Sequence, residues 1–182
     1  MNKTIFIFVI CGALFSCSVK DTETSTPTSA QNEQSTSAKA DGNFNLIDDF
    51  EKSSGLFRRD TFELYDQSAE GGQLVALHSK DKDYLVFDIW LFGETGKIHS
   101  IYWTDKKLNF ILVKRVDYTY DRPFYEDGYK TEEKTSFYSF LNNSFMAYDA
   151  DRQEMKHSNT SDMENKLRSF FTDVAKGVEI GK

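Results

Sequence analysis

Tyr84 to Phe92 reads YLVFDIWLF, Gly93 to Gly96 reads GETG, and Lys97 to Thr104 reads KIHSIYWT. The pattern is that of a strand, a tight turn and a returning strand. Two glycines around the turn allow the positive φ that short hairpins favour. In the first strand both alternations are apolar. Leu85, Phe87, Ile89 and Leu91 fall on one side and Tyr84, Val86, Trp90 and Phe92 on the other, with Asp88 the exception. A strand apolar on both sides is central and covered on both faces.

Further strands follow in both directions. Leu56–Asp66 is extended, Gly71 and Gly72 interrupt it, and Gln73–His78 is a short strand ahead of the charged turn Lys80–Asp83. Beyond the opening hairpin, Leu108–Tyr120 reads as the longest strand. Thr135–Leu141, the Asn142-Asn143 turn and Ser144–Tyr148 form a last hairpin, asparagine tolerating the left-handed backbone such turns use. All connections but one are short, as in an antiparallel meander; parallel crossovers need about a dozen residues or more.

Helical periodicity appears at the two ends of this region. Leu46, Ile47 and Phe50 space a short helix over Phe44–Lys52. Ser161 and Glu164 fit a capping box, and Met163, Leu167, Phe170, Phe171 and Val174 share one face of the helix that follows, with Gly177 just past its end. The predicted fold is α+β: an antiparallel meander of about 6–8 strands, strongly curved, with a short N-terminal helix and a C-terminal amphipathic helix packed on it. The curvature is expected because a single helix does not cover both faces of so wide a sheet. The alternative is an aromatic face left partly open to bind sugar, peptide or protein.

Upstream of Phe44 the composition changes. Ser18–Asn43 is rich in Ser, Thr and Gln, and Val19 is its only large apolar residue. Such a segment buries too little surface to offset the entropy of ordering, and it reads as a flexible tether. Ahead of it stand Lys3, an apolar run from Ile5 to Phe15, then Ser16 and Cys17. The run is about eleven residues, short of the roughly 20 that cross a bilayer as a helix. The segment has the form of a secretory signal.

Lys3, the apolar run and the small residue before Cys17 resemble the signal peptide and lipobox of bacterial lipoproteins, although Phe15 is bulkier than usual there. The resemblance implies loss of residues 1–16, lipidation of Cys17 with palmitate-class acyl chains, and a membrane partner reached through that anchor. It implies residence in the cell envelope, at the outer membrane, periplasmic or surface-exposed. Lys20, Asp21, Thr22 and Glu23 resemble the surface-export signals of some Bacteroidetes lipoproteins. The domain plan is then signal peptide 1–16, lipidated cysteine and tether 17–43, and one globular β-rich domain 44–182. Cys11 would leave with the signal and Cys17 would carry lipid, so no thiol pair remains for a disulfide.

The formal charge of −7 argues against nucleic-acid binding, which needs a basic footprint. There is no phosphate-binding glycine loop, nucleophile elbow or paired zinc motif. His78, His99 and His157 lack an evident third ligand, and adjacent carboxylates such as Glu132 and Glu133 point different ways on a strand. No catalytic residue, cofactor or metal is expected. The one long connection, Asp121–Lys134, reads DRPFYEDGYKTEEK, and long loops in compact domains often carry function. Arg122, Phe124, Tyr125 and Tyr129 are its candidate partner-binding residues.

Several segments of the body together resemble a loosely defined group of small secreted bacterial β-rich proteins. They are Glu63–Tyr65, Ala69–Gly72, Phe92–Lys97, Tyr102, Leu108 and Tyr120–Pro123. The resemblance implies a fold type and an envelope location and no activity. The expected function is a non-enzymatic binding module with a protein or glycan partner. The alternative is an inhibitor or immunity-type protein that blocks a secreted or envelope hydrolase, with the acidic 121–134 loop as its plug.

Overall fold

Seven strands lie in one open sheet in strict sequence order, each antiparallel to the next. They are β1 (Arg58–Glu63), β2 (Gly72–His78), β3 (Tyr84–Gly93), β4 (Gly96–Asp105), β5 (Phe110–Tyr120), β6 (Thr131–Leu141) and β7 (Ser144–Tyr148). A helix, α1 (Ser37–Ser53), precedes the sheet, and α2 (Thr160–Ala175) follows it. This computed structural model describes residues 37–141, 144–156, 160–176 and 178. The signal segment, Cys17, most of the tether, the Asn142-Asn143 turn, His157 and Gly177 lie outside the described residues.

Strand alternation sorts the core into two layers. Leu85, Phe87 and Ile89 of β3 join Leu74, Tyr102, Val113 and Tyr138 beneath Leu167, Phe171 and Val174 of α2. On the other face Tyr84 and Val86 join Leu77, Trp103, Leu112 and Phe137 beneath Phe44 and Ile47 of α1. Each face has a helix of its own, so cover is supplied without closing the sheet. Aromatic edges do much of the packing. The Phe87 and Phe171 rings meet edge-on at 4.9 Å, as do Phe44 and Phe137 at 5.4 Å.

The packing of α1 runs across the strands. Asn43 Nδ2 donates to Ser139 Oγ on β6 at 2.7 Å. Six residues along, Asp49 accepts from Lys82 Nζ at 2.7 Å and from Tyr84 OH at 2.6 Å. These contacts fall at the end of the sheet that carries the β2–β3 and β4–β5 turns.

Three local expectations are corrected. Gly93 and Gly96 do not adopt positive φ; among the described glycines Gly71 and Gly128 do. Gly96 instead serves close approach, since a Cβ there would lie 2.3 Å from the Tyr118 carbonyl oxygen. Next, β6 begins at Thr131, not Thr135, because β5 continues its register out to Tyr120, opposite Thr131. The charged TEEK run is therefore strand, and the loop shortens to residues 121–130. Finally, Ser161 lies inside α2, which begins at Thr160. Its box partner Glu164 takes the Arg168 guanidinium at 2.9 Å in place of a backbone N–H.

Candidate functional site

The α1 face of the sheet is covered only over half its length. Past Val86 and Trp103, alternation brings Asp88, Trp90 and Phe92 of β3 to that face. Cross-strand register adds His99 and Lys97 of β4 opposite Trp90 and Phe92. It then sets Tyr118 of β5 opposite Lys97, and Glu133 of β6 opposite Tyr118. None of Trp90, Phe92 or Tyr118 belongs to either helix-covered core layer.

These side chains form a rack of parallel rings. The Trp90 indole and His99 imidazole stack at 3.9 Å with planes 10° apart. Phe92 and Tyr118 lie 6.4 and 6.1 Å from Trp90, both within 20° of its plane. Lys97 Nζ sits 5.1 Å from the Trp90 centroid and 4.7 Å from that of Tyr118, a cation held by two π faces. His99 Nε2 donates to Asp88 Oδ1 at 2.8 Å, which fixes the imidazole against the indole. Burial raises the Tyr118 phenol pKa, and the Glu133 carboxylate raises it further.

The 121–130 loop joins the same end of the sheet. Phe124 N–H donates to the Glu94 carbonyl at 3.0 Å and Tyr120 N–H to that of Thr95 at 2.9 Å, so the β3–β4 turn holds the loop through its backbone. Asp121 closes the loop. Its Oδ1 accepts from Lys130 N–H at 2.8 Å, and this bond, with help from Arg122, holds its carboxyl below the usual range. Of the candidate residues, Arg122 is tied to Asp121 at 3.5 Å. Tyr129 packs on Tyr120 at 5.0 Å, and Phe124 meets Tyr125 edge-on at 5.7 Å. Phe124, Tyr125 and Tyr129 are 48%, 65% and 42% exposed, which is high for rings and marks them as available for contact. An open cleft of about 470 Å³ at this end is lined by Leu91, Ile98 and Asp117, which the register aligns on the α2 face, with Gln67 and Ser68 beside them and Lys97 and Tyr118 at its margin.

The chemistry on offer is contact chemistry. Among the described residues no three His, Cys, Asp or Glu side chains converge as a metal site. His78 and His99 stand on opposite faces of the sheet, and each is paired with one aspartate, His78 with Asp60 at 3.0 Å. On the α2 face Arg115 forks onto Asp117, donating from Nε and Nη2 at 2.7–3.1 Å. The sequence pointed to the loop aromatics and to an aromatic face, but not to the partnership of Trp90, His99, Lys97 and Tyr118. Their spacing has no local motif, and only the β3–β4–β5 register brings them together. No family model, no curated protein and no solved structure matches this chain.

Proposed function

We propose that this chain is a non-enzymatic binding module of the bacterial cell envelope, lipid-anchored at Cys17 at the outer membrane, with a protein or glycan partner. The observation that carries the binding reading is the gathering of the Trp90 rack and the exposed loop rings Phe124, Tyr125 and Tyr129 at one sheet end. Rigid rings lose little conformational entropy on contact, and a fixed cation among them adds direction. The anchor reading rests on Lys3, the apolar run and Cys17, and several acyl chains would make the attachment stable.

Two measurements test it. Wild-type chain is expected to enter the detergent phase on phase separation and Cys17→Ala to stay aqueous or remain unprocessed; equal partitioning removes the anchor. Capture of envelope protein and glycan fractions by the full chain is expected to fall at least about tenfold in Trp90→Ala and Tyr125→Ala. Capture that is absent, or indifferent to both changes, defeats the binding reading. The inhibitor alternative draws on the exposed Phe124 and Tyr125 at the loop, and it predicts that the captured partner is a hydrolase whose turnover stops in the complex.

A further inference from the structure

The outer lanes of the sheet are unequal. β6 has 11 residues and β7 has 5, and β7 pairs only with Phe137–Leu141. On its inner side β6 is paired from Thr131 through Ser139. On its outer side, residues 131–136 have no strand beside them among the described residues. The chain itself quits this lane at Asp149. Asp149 Oδ1 accepts from the N–H groups of Asp151 and Gln153, which folds the backbone away. The chain then returns along the outer side of β7, bridging Tyr148 to Glu154. The 121–130 loop, closed by the Asp121–Lys130 bonds, bounds the other end.

Alternate residues of a β-strand aim their N–H and C=O groups at each neighbour, so about three residues of this stretch present theirs outward. Thr131–Lys134 are all exposed. Resting on the binding-module reading above, we propose that the half-lane beside residues 131–136, unpaired among the described residues, accepts an extended, basic segment of a partner protein as an added strand. Strand addition takes affinity from main-chain bonds and selectivity from the flanking side chains. Those flanks are mainly acidic: Glu132 and Glu133 along the lane and Asp149 and Asp151 at its end, against Lys134. Arg152 stands at that same end, its guanidinium over the Phe44 and Phe137 rings at 4.9 and 6.0 Å.

A second copy is disfavoured because two acidic lanes would face each other. The sheet's other edge, β1, is charge-balanced, with Arg58 and Arg59 set against Asp60 and Glu63 and Arg58 paired to Asp60 at 3.2 Å, so it offers no net acidic flank to the same partner.

The probe is a short fluorescent peptide of alternating lysine and threonine, titrated into the full chain. Binding is expected, with slowed amide exchange at residues 131–136. Affinity is expected to fall at least about tenfold in the Glu132→Lys, Glu133→Lys double variant. It is expected to vanish for an alternating glutamate–threonine peptide and for a probe N-methylated at alternate amides. Equal binding of the N-methylated probe shows charge attraction without strand pairing and overturns the proposal. Absence of binding, protection centred on Trp90 and Lys97, or self-association of the chain overturns it too. If envelope capture depends on Trp90 while the peptide does not bind, the lane fails and the binding reading stands. If the peptide protects residues 131–136 while nothing is captured, the lane stands and the binding reading fails.

Discussion

Trp90 and His99 sit directly opposite each other on β3 and β4, and their rings stack 3.9 Å apart. The pair is half-buried on the stretch of the α1 face past the helix-covered core layer, so its coupling is measurable without collapse of the core. A double-mutant cycle of Trp90→Ala and His99→Ala in urea unfolding is expected to give about 0.5–1.5 kcal/mol, as for other aromatic pairs. A coupling near zero would mean that the stack does not persist in solution.

Two buried tyrosines make a contrast. Tyr102 is fully buried, and among the described residues nothing hydrogen-bonds its hydroxyl. Tyr84 OH donates to Asp49 Oδ2 at 2.6 Å. Removing an unsatisfied buried hydroxyl removes a desolvation cost, whereas removing a bonded one strands its partner. Tyr102→Phe is expected to be neutral or stabilising by about 1 kcal/mol, and Tyr84→Phe to lower the Tm. Calorimetry of the two variants beside wild type decides the matter.

Asp49 ties α1 to the sheet and gives that attachment a pH dependence. Hydrogen bonds from Lys82 and Tyr84 hold its carboxyl pKa below the ordinary 3.8. A depressed carboxyl stabilises the fold above its unfolded value, and the contribution disappears as pH falls through the folded one. The Tm of wild type should therefore drop below about pH 3.8 by more than that of Asp49→Asn. Parallel acid profiles of the two proteins would contradict the tie.

Backbone conformation predicts opposite signs at two turns. Leu108 holds a φ of 66° in the β4–β5 turn, with its side chain 40% exposed. Leu108→Gly is expected to raise stability by up to about 1 kcal/mol, because relief of left-handed strain outweighs the added freedom of the unfolded chain. At Gly96 the approach of the Tyr118 carbonyl leaves no room for a methyl group. Gly96→Ala is expected to cost about 2 kcal/mol or more and to loosen β4 from β5. Chemical denaturation with amide exchange at Lys97 and Tyr118 reads both effects.

The meander and its central strand were legible because their signals are local. The two-sided apolar alternation maps onto the two core layers over Tyr84–Ile89 but not at Trp90–Phe92, where the strand runs past the helix-covered layers, and Leu167, Phe171 and Val174 are the buried stripe of α2. The extra length of β6 was hidden because Glu132, Glu133 and Lys134 have the composition of a loop and became strand through pairing with β5. The glycines of the β3–β4 turn were located correctly but given the wrong task, since close approach depends on a strand some twenty residues downstream. The Trp90 rack was hidden for the same reason. Its members come from three strands, and nothing in any one of them marks the others.

The strict nearest-neighbour strand order has a consequence for how the chain matures. Each strand can zip onto its predecessor as a hairpin, with little loop entropy to overcome, so pairing can follow the N-to-C order of synthesis. The lid on one core layer arrives last, however. Leu74 and Phe87 wait for Leu167 and Phe171, which follow them by more than eighty residues. A chain truncated before Thr160 would keep all seven strands but leave Leu74, Phe87 and Tyr102 without the α2 side chains that cover them. Exposed apolar surface of that kind favours aggregation, so α2 guards against self-association by closing this core layer.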